Sequence, residues 1–197
     1  MFARLILLLT LFLMPAVTAA QDSRLTERLD DATAASVQQV VDSARRTGLP
    51  TEPLVQKALE GSTLGASGER IVAAVEALHG QLGRARDALG SSASEAELTT
   101  AAGALRAGLP PTALRRLQSF RSGRPLVVPM AVLTDLVAEG VPPEQATQSV
   151  LDLAREGRPD DEFVALRRQV QVQRRGGTGK PAGRPALRPA ADPPVDR

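Results

Sequence analysis

The sequence predicts an all-α protein, an array of short helices joined by Gly-(Leu/Val)-Pro turns in a helical-hairpin or α-solenoid-like arrangement. Apolar residues recur every three or four positions through most of the chain, the spacing of one helix face. A common stop signal separates these stretches, as Gly48-Leu49-Pro50, Gly108-Leu109-Pro110 and Gly140-Val141-Pro142. Aromatic residues are nearly absent from the 197-residue chain, with no Trp, no Tyr and four Phe. The remaining apolar content, Leu, Val and Ala, suits close helix packing and not a β-sandwich, whose strands draw on aromatic and β-branched side chains.

The chain divides into three segments, 1–20, 21–175 and 176–197. In the first, Arg4 precedes an apolar run from Leu5 to Met14, then Pro15, then the small residues Ala16, Thr18, Ala19 and Ala20. This is the order of a secretory signal peptide, with cleavage expected after Ala20 or Ala19 and a periplasmic or secreted product. A ten-residue helix spans about 15 Å, half of a hydrocarbon core of about 30 Å. Membrane contact is therefore expected only through an uncleaved signal, should cleavage fail.

Through the body, the run from Asp22 to Thr47 carries Leu25, Leu29, Ala32, Val37, Val40, Val41 and Ala44 at helical spacing, and Gly48 ends it. The longest seam is Ile71, Val75, Leu78, Leu82, Ala85 and Leu89, interrupted by Gly80 and Gly83. Each of those glycines costs about 1 kcal/mol against alanine inside a helix. The sequence therefore predicts close packing or a bend there, or a break into two units near Gly80. Ser94 and Glu97 form a capping-box pair ahead of Leu98. Further stripes are Leu98, Ala102 and Leu105; Leu114, Leu117 and Phe120; Met130, Leu133, Leu136 and Val137; Ala146, Val150, Leu151 and Ala154; and Phe163, Leu166 and Val170. Seven to nine helices are expected.

The stops have a physical logic. Glycine tolerates the left-handed conformation that ends a helix, the next apolar residue folds back on the last turn, and proline starts the following helix. Acidic residues after the stops, Glu52, Glu69, Glu144 and Asp160-Asp161-Glu162, lie where a helix N-terminus favours negative charge. Glycines fall 17 residues apart from 48 to 65, 123 to 140 and 140 to 157. Two such units make a hairpin of about 34 residues, the size of repeats that stack into α-solenoids.

The stretch from Gly48 to Gly61, Glu69-Arg70-Ile71 and Gly140-Val141-Pro142-Pro143-Glu144-Gln145-Ala146 resemble a group of exported helical proteins of unknown function from high-GC bacteria. The resemblance covers the body from about Leu25 to Val170 and implies no activity and no catalytic residue. Gly65-Ala66-Ser67-Gly68 departs from the Gly-Val-Pro pattern and puts the rigidity of that corner in question.

No residue set predicts catalysis, a cofactor or a bound metal. Cysteine is absent and His79 is the one histidine, which leaves no thiolate, disulfide or His-pair chemistry. His79 reads as a surface or satisfied core residue. Gly-x-Ser-x-Gly does not occur, and an all-α body lacks the strand on which a nucleophile elbow is built. The segment from Gly61 to Gly68 lacks the Lys-Ser/Thr ending of a phosphate loop and reads as an inter-helix turn. Asp30-Asp31 and Asp160-Asp161 read as charge at helix starts. The Arg pairs 45-46, 115-116, 167-168 and 174-175 read as helix ends or solvated faces. Without aromatic platforms, nucleic-acid binding is not expected.

The net charge of +2 conceals a basic tail. From Arg174 to Arg197 six basic residues face Asp192 and Asp196, while the body without Arg4 is net acidic. Proline recurs every fourth residue at 181, 185, 189 and 193, which predicts a disordered, polyproline-II-rich tail. The functional expectation is an exported envelope protein that serves as a helical protein-binding or scaffolding module, its partner another envelope protein. The alternative is a binder of anionic envelope polymers through Arg174, Arg175, Lys180, Arg184, Arg188 and the Arg-rich surface. An enzyme is the least favoured reading.

Overall fold

Seven of the helix ends turn on a glycine with positive φ, between 67° at Gly48 and 94° at Gly108. The computed structural model describes residues 22–176, with side chains through Arg174. Among these residues there are nine helices and no strand: α1 Ser23–Arg28, α2 Asp31–Arg46, α3 Glu52–Thr63, α4 Gly68–Leu89, α5 Glu95–Arg106, α6 Pro111–Phe120, α7 Val127–Ala138, α8 Pro143–Arg155 and α9 Asp160–Gly176. The class is all-α. The segment 1–20 and the tail beyond Gly176 lie outside the described residues.

At Gly140 the stop works as its chemistry requires. The Gly140 N–H donates to Val137 O at 2.8 Å and the Val141 N–H donates back to Leu136 O at 2.9 Å, so two carbonyls that the helix end would orphan are paired. The same pair of bonds closes α2, α3, α5 and α8. Pro142 and Pro143 then open α8, where a missing N–H costs nothing. Leu49 and Leu109, the residues after two of the stops, are buried. The departing corner at Gly65 is closed by the same bonds, from Gly65 N–H to Ser62 O and from Ala66 N–H to Gly61 O, both 3.0 Å.

Two expectations are corrected. The run from Asp22 to Thr47 is two helices, because Asp30 accepts the Thr33 N–H at 3.0 Å and restarts the helix as an N-cap. That break shifts the phase: Ala32 faces solvent, while Ala34, Val37, Val41 and Ala44 are buried. The Gly80 break does not occur in the backbone, since α4 runs unbroken from Gly68 to Leu89. A Cβ at Gly80 or Gly83 would meet nothing within 4 Å, so neither glycine marks a close approach.

The chain nevertheless parts into two compact units, one ending at Gly80 and one starting at Gln81. In the first, α1, α2 and α3 pack on one another. The start of α4 is held close. A Cβ on Gly61 would lie 2.9 Å from Ile71 Cγ1, and one on Gly68 2.1 Å from the Thr33 hydroxyl, which is itself bonded to Asp30 at 2.7 Å.

In the second unit, alternate helices pair. α5 packs on α7 and α7 on α9 in one row, α6 packs on α8 in the other, and α7 touches α8 across the rows. α6 stacks on α8 and α7 on α9, the two-helix offset that the 34-residue rhythm implied. Because α7 is covered from several sides, its sequence is apolar around the helix, with Pro129, Met130, Val132, Leu133 and Leu136 buried.

We expect Gly140→Val to destabilise by about 1 kcal/mol or more, because a β-branched residue is penalised at positive φ. Gly83→Ala should do the reverse, stabilising by about 0.5–1 kcal/mol, because the site is open and helical. Urea denaturation of both variants checks the pair; stabilisation by Gly140→Val would mean that the turn does not need its left-handed residue.

Candidate functional site

Arg121 ends α6 and is 2 % exposed. A buried guanidinium needs its donors satisfied, and the second unit supplies acceptors from two directions. Nη1 donates to Arg158 O at 3.1 Å, and Nη2 donates to Pro125 O at 3.3 Å and to the Asp160 carboxylate at 2.5 Å. Its plane lies over the Phe163 ring, 5.0 Å from the centroid, a cation–π contact strengthened by desolvation. Its Nε is buried without a partner. Three elements meet at this one side chain: the α6–α7 turn, the α8–α9 turn and the first turn of α9.

A cleft of about 390 Å³ opens beside it, between the turn before α5, the end of α6 and the loop from Gly123 to Leu126. Glu97 lies in its wall. One carboxylate oxygen accepts the Ser94 N–H at 3.0 Å and hydroxyl at 2.9 Å, which completes the capping box read from the sequence. The other accepts the Leu126 N–H at 3.0 Å, where α7 starts with no side-chain cap of its own. One carboxylate thus serves two helix N-termini, both of which favour its charge. Burial by itself would raise the Glu97 pKa, but the Ser94 and Leu126 N–H groups and the Ser94 hydroxyl outweigh it and hold the carboxyl below its ordinary value. A carboxylate so occupied is a weak base, and Arg121 has its charge committed to Asp160 and two carbonyls. The cleft is built to join helices.

Arginines elsewhere do similar work. Arg124 donates to Gly157 O at 3.0 Å and Arg158 O at 3.2 Å, and Arg174 donates to Gly140 O at 2.8 Å. Each cation thus sits on the carbonyl end of a neighbouring helix, where the dipole favours it. Arg158, 34 residues after Arg124, turns instead to Glu156 and Glu162 at 3.0 and 3.3 Å. Those two carboxylates raise its pKa further, the Glu156 hydrogen bond most.

Of the residues assigned to anionic-polymer contact, the structure places Arg174 on the exposed end of α9 with its guanidinium on Gly140 O. The side chain of Arg175 and all of Lys180, Arg184 and Arg188 lie outside the described residues. Asp30 is the N-cap of α2, and Asp160 and Asp161 open α9. Asp30 also stands 3.5 Å from where a Gly68 Cβ would be, placing negative charge at the start of α4, where a phosphate cradle would need the opposite. His79, read as a surface or satisfied core residue, is half-buried, with its Nε2 buried and without a hydrogen-bond partner among the described residues. No group of three or more potential metal ligands comes together among the described residues.

Sequence reading singled out neither Arg121 nor Arg124. Apart from Pro125 O, their partners lie more than 30 residues away, and the Gly-Arg-Pro triplets at 123–125 and 157–159 are the sequence signal that these stretches are equivalent. No protein-family model, curated protein or solved structure matches the chain.

Arg121→Ala should destabilise the second unit by about 2 kcal/mol or more, because it removes a buried guanidinium together with its hydrogen bonds to Pro125 O, Arg158 O and Asp160 and its contact with the Phe163 ring. Arg121→Lys should rescue little, since an ammonium lacks the planar fork. Chemical denaturation checks both, and a loss below about 1 kcal/mol for Arg121→Ala would mean that the cluster is not a fixed joint. For Glu97 the folded pKa is depressed, so its contribution is present above the unfolded value of about 4.3 and disappears as pH falls through the folded value. The melting-temperature gap between wild type and Glu97→Gln should be widest near pH 7 and narrow below about pH 4.

Proposed function

We propose that the protein is an exported envelope component whose stacked helices form a protein-binding or scaffolding surface. The observation that carries the reading is the two-row stack of α5–α9. Its buried Arg121 joins neighbouring turns, while α6 and α8, packed on each other, each keep a solvent-facing side. Stacked helical hairpins present such extended surfaces to partners. The order Arg4, apolar run, Pro15 and small residues to Ala20 supports export and a periplasmic or secreted location. Among the described residues, no helix is long and apolar enough to cross a membrane. The resemblance to exported helical proteins of high-GC bacteria agrees with this reading.

A second reading, contact with anionic envelope polymers, is favoured by one observation, the concentration of uncompensated basic residues between Arg174 and Arg197. Such binding would be electrostatic and screened within about 10 Å at 0.1 M salt.

A photoreactive residue placed singly at Leu64, Ser119 and Val172, all solvent-facing, tests the main reading in intact cells. The expected outcome is a discrete cross-linked species from at least one position, carried by a chain beginning at Gln21 or Ala20. A full-length cytoplasmic protein starting at Met1, or no discrete species from any position, overturns it. Deleting 176–197 should leave that species and the melting temperature unchanged. Loss of salt-sensitive polymer binding on the same deletion would instead support the second reading.

A further inference from the structure

The boundary between the two compact units falls between Gly80 and Gln81, inside the unbroken helix α4. Gly80 and Gly83 stand on either side of it, and a Cβ at either would meet nothing within 4 Å. Each weakens the helix relative to alanine, because glycine gives up the most backbone freedom on ordering. No close approach asks for that sacrifice.

The apolar seam thins at the same turn. Ile71, Val75, Leu82, Ala85 and Leu89 are buried, whereas Leu78, two residues before Gly80, is only half-buried. His79 Nε2 and Gln81 Oε1, on the two residues that flank Gly80, are buried without a hydrogen-bond partner among the described residues. A buried polar atom left unpaired opposes the conformation that buries it. A bend that admits water at this turn relieves both atoms.

Glycine alone does not make such a place. Gly103, inside α5, is also helical with open space around it, but its neighbours Ala101, Ala102 and Ala104 are buried and α5 lies wholly within the second unit. At Gly80 the open glycines coincide with a unit boundary, a thinned seam and unpaired polar atoms.

We propose that the turn from His79 to Gly83 is a hinge, a conformational device that lets α4 bend while both of its ends stay packed. The ends are held by Ile71 and Val75 before the turn and by Ala85, Ala88 and Leu89 after it, all buried. Leu82, also buried, keeps the apolar side of the turn closed. Gly80 is exposed, and hydrogen bonds on the solvent side of a helix are the ones that lengthen when it curves. The change in φ and ψ is absorbed by the glycines, as hinges concentrate it in a few residues. This device goes beyond the protein-binding reading and does not depend on it.

The test uses the mature chain labelled with 15N. Backbone residual dipolar couplings are fitted separately for each unit, its own part of α4 included. A hinge gives the two fits alignment tensors of different magnitude. It also makes the amides from Gly80 to Arg84 exchange with solvent about tenfold or more faster than those of Val75 and Ala88. Replacing both glycines, Gly80→Ala with Gly83→Ala, should bring the tensors together and remove the difference in exchange, because alanine holds the helix straight. Gly103→Ala, an equally open helical site, should do neither. One tensor that fits both units of the wild-type chain overturns the proposal. Tensors that stay unequal in the double variant also overturn it, since the motion then lies elsewhere. So does an equal response to Gly103→Ala, which would make the effect one of general helix stability.

Discussion

Ending a helix leaves its last carbonyls without donors, and a protein made almost wholly of short helices meets that constraint at every turn. Here the glycine stop answers it locally. The left-handed residue lets two N–H groups fold back on the last turn, as at Gly140 and Val141, and the exit direction of the chain is then set by the backbone. Proline placed directly after fixes where the next helix begins. Because the device is compact, it leaves the glycine's own carbonyl open to a second contributor. Arg124 on Gly157 O and Arg174 on Gly140 O reach from one part of the stack to the turn of another. The repeat spacing and the stacking thus meet at the same turns.

Arg121 is the strongest expression of this arrangement. A chain without cysteine and nearly without aromatics has few means of locking helices in register other than interdigitated Leu, Val and Ala, which tolerate sliding. A buried guanidinium with fixed acceptors in two turns and a ring beneath it does not slide, since any displacement strands a buried charge. Glu97 does the same with opposite sign, closing its own helix and the start of α7. The two residues border one cleft, where these polar joints come together. Arg158 pairs instead with its neighbours Glu156 and Glu162.

Inside the stack the arginines at the turns, Arg121, Arg124 and Arg174, are matched to carbonyls or carboxylates. The basic residues beyond Arg174 belong to a different part of the chain, and their chemistry is that of long-range attraction.

Helical class, the glycine stops, the Ser94–Glu97 capping box and the start of α9 at Asp160 were legible from sequence, because each depends on residues within about one turn of one another. So was the hairpin rhythm of 123, 140 and 157, which is a matter of counting. The break between α1 and α2 was legible in principle from Asp30, but the apolar spacing runs on across it, and only the Asp30–Thr33 hydrogen bond shows that the phase has changed. Gly80 and Gly83 suggested a contact or a break: neither marks a close contact and the helix runs through both, yet the boundary between the two compact units falls at Gly80. Tertiary structure alone decided which charges are buried. Arg121 looks in sequence like any arginine at a helix end. Its partners Arg158 and Asp160 lie 37 and 39 residues away, and only the stacking of one hairpin on the next brings them within reach of its guanidinium.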